Sequence, residues 1–310
     1  MDSPTTKIKN FAKSIGADLV GITAAEPHEE GQKHLQDFLQ KNRQGQMHYL
    51  EDATARTNPQ HLLPDCQSVI VIAINYYRDV PPTPKGHGRF ARYAYGRDYH
   101  KVIKKILKQL AAFITENHPE AVCKPCVDSA PLLEKAYAVR AGLGFLGKNT
   151  TLITQQFGSY VLLGELLTTL KLDYDQPLTG GTCGTCTRCI DACPTAAIVS
   201  PQQMDATRCI SYLTIESREP IPQEFHAKMD NLIFGCDICQ EVCPYNKAFA
   251  KPLTLQAFTE VKIAGLSMSL QEILDIPDDA AFTKKFAGSP VMRAKRSGLQ
   301  RNARIAVENS

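Results

Sequence analysis

Cys183-Gly-Thr-Cys186-Thr-Arg-Cys189-Ile-Asp-Ala-Cys193-Pro194 is followed, after Cys209, by Cys236-Asp-Ile-Cys239-Gln-Glu-Val-Cys243-Pro244, so eight of the eleven cysteines fall into two related runs. This is the spacing that holds two [4Fe–4S] clusters. Three thiolates in one tight loop reach three irons, while the fourth, followed by proline, turns toward the partner cluster. The ligand sets are therefore expected to cross: Cys183, Cys186, Cys189 and Cys243 on one cluster, Cys193, Cys209, Cys236 and Cys239 on the other. Because Cys209 lies far upstream of Cys236, a helical insertion is expected between them. Paired C-x2-C knuckles also bind zinc, but Cys-Pro after an x3 gap, repeated twice, favours iron and sulfide. Structural disulfides are disfavoured, since nothing points to an oxidising compartment.

Working outward, 310 residues at 43% hydrophobic give room for about two domains with sizeable cores. The first ten residues hold no apolar signal core, and no stretch approaches the roughly 18 apolar residues of a membrane span. The expectation is a cytoplasmic protein with no membrane partner. The formal charge of +3 counts the cysteines as neutral, so polyanion affinity must come from local patches. One is Lys284, Lys285, Arg293, Lys295, Arg296, Arg301 and Arg304, with no acid between them. Lys101, Lys104, Lys105 and Lys108 share one helix face and read equally well as a solvated surface.

Before the cysteines the pattern mixes helices and strands. A helix is expected over 7–15, ended by Gly16, then a strand over 18–22 and a helix over 29–42. Residues 68–75, Ser-Val-Ile-Val-Ile-Ala-Ile-Asn, read as a strand covered on both faces. A Pro- and Gly-rich loop leads into Arg92-Tyr-Ala-Tyr-Gly-Arg-Asp-Tyr-His100 and a helix to about residue 118. A strand is expected over 121–127, and Asp128-Ser-Ala-Pro131 should open a helix running to residue 140. Residues 150–154 and 159–167 are expected to pair as strands. After the clusters, short helices with loops are expected, including 271–274.

Three motifs fail on context. Gly142-Leu-Gly-Phe-Leu-Gly147 with Lys148-Asn149 resembles a nucleotide loop, but a helical pattern precedes the glycines, a strand pattern follows them, and Asn149 stands where Ser or Thr is required. The glycines read instead as a helix C-cap and a close-approach turn. Cys123-Lys-Pro-Cys126 resembles a redox pair, yet thiols three apart in a strand point to opposite faces. Cys66 reads as a small core residue. Neither C-x-x-C-H nor D-x-H-x-x-G occurs, so composition alone names no organic cofactor. Asp128 admits two roles, a helix N-cap or a pocket acid. Capping lowers a carboxyl pKa, whereas donating protons at neutral pH needs it raised.

The Arg92 to His100 stretch, Val127-Asp-Ser-Ala-Pro131, Ala141-Gly-Leu-Gly-Phe145, Gly147-Lys-Asn149, Gly158-Ser-Tyr160, Leu163-Gly-Glu165 and Arg208-Cys-Ile-Ser-Tyr-Leu-Thr214 resemble the epoxyqueuosine reductases over nearly the whole chain. The resemblance implies an α+β or α/β cobalamin-binding catalytic domain at 1–175, a ferredoxin-like double [4Fe–4S] domain at 176–250 and a short helical basic segment at 251–310. It implies reduction of the epoxide of epoxyqueuosine at the wobble position of tRNA with GUN anticodons, fed by a low-potential donor such as a flavodoxin or ferredoxin. Asp128 matches the family's proton donor. Arg56, Lys148, Leu152 and Leu163 match positions around the corrin. The chain stops soon after Gln300-Arg-Asn302, so the helical-repeat extension of longer members is expected to be absent, and a monomer is expected. The competing readings are a cobalamin-dependent reductive dehalogenase and a ferredoxin-like carrier with no turnover.

Overall fold

The computed structural model describes residues 2–259 and 264–309. Its centre is a four-stranded sheet in the order β1 (Leu19–Ala24), β2 (Ser68–Asn75), β7 (Val161–Thr168), β4 (Cys123–Cys126), every neighbouring pair antiparallel. All eight residues of β2 are buried. Strand alternation divides them between two cores. Ile70, Ile72 and Ile74 meet Ile103, Leu107, Leu110 and Ile114 of helix α4 (Tyr99–Asn117), while Val69, Val71 and Ala73 meet Tyr137 and Ala138 of helix α5 (Glu134–Arg140). Each such aliphatic side chain contributes about 1.5–3 kcal/mol by leaving water, so the two-sided cover expected from the run is what holds the sheet. The sheet itself is antiparallel despite carrying helices on both faces.

Helix α1 (Pro4–Ser14) starts three residues before the expected position, because Ser3 accepts the Thr6 N–H and Pro4 sets the first turn. Helix α2 (Glu29–Gln40) and the short α3 (Ala53–Thr57) follow β1. On α4 the lysines 101, 104, 105 and 108 occupy the exposed face. Cys123 packs with the α4 side of the sheet and Cys126 with the α5 side, so the thiols diverge as the strand pattern required. Gly142 lies at φ +74 just past α5, where the Leu143 N–H reaches the Ala138 carbonyl to close the helix.

Two local expectations are overturned. Residues 150–154 and 159–167 do not form a hairpin. An isolated bridge joins Thr154 to Gly158 within the connection, while β5 (Phe145–Leu146) pairs with β6 (Leu152–Ile153) and β7 runs between β2 and β4. The Gly147-Lys-Asn-Thr150 segment closes a tighter turn, with Thr150 at φ +63 and Gly147 N–H on the Thr151 carbonyl. Nor does Asp128 open α5, which begins at Glu134. Asp128 sits at φ +42, outside the extended region an N-cap adopts, and Pro131 disfavours helical geometry in Ala130.

A second sheet sets β3 (His87–Phe90) between Leu232–Phe234, parallel to it, and Ser267–Ser269, antiparallel. Its core draws Phe90, Ala94 and Tyr95, then Ile215, Ile233 and Phe234, then Phe282, Phe286, Leu299 and Ala303. Residues from before, within and after the cysteine region therefore share one interior. The C-terminal helix Lys295–Glu308 is fastened by polar contacts. Buried Asn302 donates to the Thr214 and Ile233 carbonyls, and Gln300 to those of Ile273, Leu274 and Ile276. Helices Ile210–Ile215 and His226–Met229 fill the interval between Cys209 and Cys236, as expected.

Candidate active site

Each cysteine loop ends in one helical turn, Arg188–Asp191 in the first and Ile238–Glu241 in the second. All eight thiols are free. Backbone N–H groups point at the sulfurs: Lys148 N–H at Cys183 Sγ, 3.4 Å, and Ala197 N–H at Cys193 Sγ, 3.2 Å. Burial raises the Cys209 and Cys239 thiols and pushes Cys236 up to about 12. Neutral thiols would be stable there, so a thiolate set requires a cationic iron core to balance it. Cys209 is within electrostatic reach of Cys193 and Cys236, and Cys189 of Cys183 and Cys186. These pairings fall within the crossed sets, whereas Cys239 is also within electrostatic reach of Cys189 of the other set. Cys243 is buried, with extended backbone leading into the helix that Pro244 opens.

The second centre is Asp128. Its Oδ2 lies 2.8 Å from His100 Nε2, and His100 Nδ1 lies 2.6 Å from Asp98 Oδ1. Burial alone would lower the imidazole, but bonds to two carboxylates raise it to about 9. His100 is therefore an imidazolium at neutral pH, donating from both nitrogens. Burial raises Asp128, and hydrogen bonds from His100 and Tyr99 outweigh it, so the carboxyl lies below its ordinary value. The proton expected on Asp128 thus resides on its partner. Asp98 caps α4, and Tyr99 stacks on the His100 ring at 4.1 Å, which fixes the imidazole.

Beneath this triad lie two more carboxyls. Glu165, on β7, is wholly buried, with no donor to either oxygen among the described residues other than the Glu134 carboxyl that faces it. Glu134 Oε1 also accepts the Asp128 N–H. Burial raises both; the Asp128 charge adds to the rise of Glu134, to about 7, and the Glu134 charge and its hydrogen bond to that of Glu165, well above the ordinary value, while the same hydrogen bond lowers Glu134. A carboxyl whose folded pKa is raised contributes stability below its unfolded pKa and loses it as pH climbs through the folded one. Glu165→Gln should therefore flatten the stability decline above pH 4.5, gaining about 1.4 kcal/mol on wild type per pH unit until the Glu165 carboxyl ionises. Thermal denaturation across pH 5–9 reads this, and parallel curves for the two proteins would contradict it.

Of the positions matched to the corrin, Arg56 is buried and donates from Nε and Nη2 to the Tyr49 carbonyl, with its guanidinium 5.4 Å from the Tyr49 ring centre. Asp128 acts electrostatically on both. Lys148 instead reaches the first cysteine loop, where Nζ donates to the Gly184 and Cys186 carbonyls. Leu152 and Leu163 pack in the α5-side core at 3% and 8% exposure, so only a small edge of each is open. Lys135 was not anticipated. It is exposed, bonded to the Thr150 carbonyl, and within reach of Glu134, Cys239 and Asp128. Asp128 likewise keeps 54% of its side-chain surface open while surrounding protein desolvates it. Both side chains are thus open to solvent, and Lys135 lies within electrostatic reach of Asp128 on one side and Cys239 on the other. Two exposed polar groups between the acid and the second cysteine set suit the polar edge of a large cofactor.

His100 and Tyr99 lie in the quoted Arg92 to His100 stretch, and Glu165 is a lone acid inside an apolar strand. Both signals were present, but only the tertiary fold makes them neighbours.

A family model described as "4Fe-4S double cluster binding domain" matches residues 182–246, and one described as "Epoxyqueuosine reductase QueG, DUF1730" matches residues 56–129. An epoxyqueuosine reductase of Cellulophaga algicola is 45% identical over 95% of this chain and 95% of its own. An epoxyqueuosine reductase solved with an epoxyqueuosine-modified tRNA-Tyr stem loop has a TM-score of 0.90 at 34% identity, covering 98% of this chain and 80% of that one. The Bacillus subtilis enzyme, solved with its catalytic aspartate loop swung out of the active site, has a TM-score of 0.88 at 33%, covering 98% and 81%. A catabolic reductive dehalogenase shares the fold at 17% identity and a TM-score of 0.51, covering 95% of this chain and 37% of that one.

Proposed function

Because this chain belongs to the epoxyqueuosine reductase family, we infer that it reduces the epoxide of epoxyqueuosine in tRNA to the alkene of queuosine. One oxygen leaves as water, and two electrons and two protons are consumed. The observation that carries the reading is a protonated His100–Asp128 pair beside Lys135, which is itself within electrostatic reach of Cys239. A carrier needs no such acid. The 17% likeness to a dehalogenase extends to fold alone.

The eight cysteines would hold the two clusters in the crossed sets given above, and Asp128 and Lys135 would face bound cobalamin. Cobalamin held there would supply low-potential electrons for opening the epoxide. The rest of the work falls to the chain's own groups. Asp128 Oδ accepts a proton from His100 Nε2 and passes it to the oxygen that leaves carbon. Asp98 stabilises the imidazolium between turnovers and fixes which nitrogen faces Asp128. Tyr99 limits water beside that carboxyl. Lys148 ties the β5–β6 turn to the first cysteine loop, holding electron supply and acid in one frame.

The acid limb has a pH signature. In wild type the rate should fall as pH rises through about 9, where His100 loses its proton. His100→Gln should lower kcat about 10²-fold and remove that limb. An unchanged profile in the variant would exclude His100 from proton delivery.

The RNA would approach from the solvent-exposed side of Asp128 and Lys135. The basic tail is less available than its sequence suggests: Lys285 pairs with Glu272, Arg293 with Glu216 and Arg296 with Asp279, while Arg301 binds the carbonyls of Leu213, Ser217 and Glu219. Lys284, Lys295 and Arg304 remain exposed without an ion pair among the described residues. Tyr49, 52% exposed, has the Arg56 and Arg293 guanidiniums 5.4 and 5.9 Å from its ring centre. An accessible aromatic with adjoining cations is the pairing that receives an unstacked base. Tyr49→Ala should weaken binding of an anticodon stem loop about tenfold and leave cobalamin affinity unchanged. Equal RNA affinity by fluorescence anisotropy would move the contact elsewhere.

The reading as a whole is tested by nucleoside mass spectrometry of tRNA from cells lacking this chain. Epoxyqueuosine should accumulate at the expense of queuosine, and an unaltered ratio, with no second such enzyme present, would overturn it. A monomer and a flavodoxin- or ferredoxin-type donor complete the proposal. No helix among the described residues is long and apolar enough to cross a membrane, and action on tRNA places the work in the cytoplasm.

A further inference from the structure

Glu165 stands opposite Cys126 in the β4–β7 ladder, wholly buried, with no donor to either oxygen among the described residues other than the facing Glu134 carboxyl. A buried acid left this way is unstable as an anion. The groups facing it are the Glu134 and Asp128 carboxyls and the Cys126 thiol, none of them cationic. Glu134 is placed differently. Asp128 faces it with negative charge, but it has the Asp128 N–H and the Glu165 carboxyl as hydrogen-bond partners and Lys135 as a cationic neighbour. Asp128 meanwhile holds φ +42, a left-handed conformation that an aspartate enters only when its surroundings impose it. Two contacts do so: His100 on the carboxylate and Glu134 on the amide.

We infer that Glu134 and Glu165 share one proton and act together as the latch that holds the Asp128 loop ready, Glu165 keeping the proton and Glu134 keeping the charge. Two carboxyls in a dry site cannot both ionise. With the proton on Glu165, the Glu134 carboxylate accepts the Asp128 N–H in a charge-assisted bond, roughly twice as strong as a neutral one. When Glu134 is protonated as well, the bond weakens and the strained turn at Asp128 is free to relax. In the Bacillus subtilis relative the catalytic loop has been captured swung out of the active site, a movement this latch would govern. Glu134 and Glu165 are positioning residues, acting through Asp128 and not on substrate. The inference rests on the assignment of Asp128 as the acid only for its catalytic meaning, since the shared proton and the latch are read without substrate.

The test uses the cluster-loaded protein with two readouts. Infrared difference spectra at pH 7.5 should show a carboxylic-acid C=O band that Glu165→Gln removes and Glu134→Gln retains. Hydrogen exchange at the Asp128 amide, corrected for its intrinsic rate, should become about tenfold slower between pH 6 and pH 8 in wild type. It should show no such change in Glu134→Gln and lose its protection at both pH values in Glu134→Ala, with iron content and far-UV circular dichroism unaltered. Turnover should follow the latch, Glu134→Ala lowering kcat with RNA affinity unchanged. A missing acid band, or a protected Asp128 amide in Glu134→Ala, would overturn the inference. Normal latch behaviour without epoxide reduction would overturn the proposed reaction instead.

Discussion

Asp128→Asn should abolish measurable epoxide reduction, with a loss of at least about 10³-fold in kcat, while both clusters, cobalamin and stem-loop RNA bind as in wild type. The amide is nearly isosteric, so the turn at φ +42 and the Glu134 contact to the backbone persist. What disappears is the anion that raises His100. With the Asp128 carboxylate gone, only Asp98 supports the imidazolium, and its pKa falls from about 9 toward the ordinary histidine value. Proton inventory and proton path are thus lost together. NMR titration of His100 would register the fall, and single-turnover assays the loss of rate. Substantial activity in this variant would remove Asp128 from the reaction.

The second large effect concerns the crossing of the ligands. Cys186→Ala with Cys243→Ala strikes one cluster twice in the crossed arrangement and should leave about half the iron, since the other set stays complete. Cys186→Ala with Cys193→Ala strikes both clusters and should leave almost none in stably ligated form. Turnover should vanish in both. The contrast lies in iron and sulfide content and in the EPR of the reduced protein. Uncrossed ligation would reverse the order of the two double variants. Cys243 matters most here, because the thiols of 193, 209, 236 and 239 already form a chain of neighbours in space.

Local chemistry made much of this legible in advance. The cysteine spacing, the six apolar residues 69–74 of β2 and the period of α4 each speak for themselves over a few residues; the strand and the helix reappear as read, and a double-cluster family model matches the cysteine region. What was hidden depends on distant partners. Asp128 read as either a helix cap, because Ser-Ala-Pro follows it, or a pocket acid, but a backbone turned to positive φ sends its carboxylate to His100, 28 residues earlier. That same partner reverses the expected pKa argument: its hydrogen bond, with that from Tyr99, outweighs burial and lowers the carboxyl, while two carboxylates raise the imidazole. Residues 284–304 read as a basic patch, whereas Glu216, Glu272 and Asp279 pair with three of its seven cations. The C-terminal helices also contribute to the interior shared with β3 and residues 215–234, a partnership that no local periodicity reveals.

The most direct measurement is mass spectrometry of an anticodon stem loop carrying epoxyqueuosine, incubated anaerobically with the cluster-loaded chain, cobalamin and a low-potential reductant. Loss of a single oxygen atom from the modified nucleoside, dependent on both cobalamin and intact cysteine sets, is the predicted result. An intact epoxide, with both clusters reduced and cobalamin and RNA bound, would contradict it.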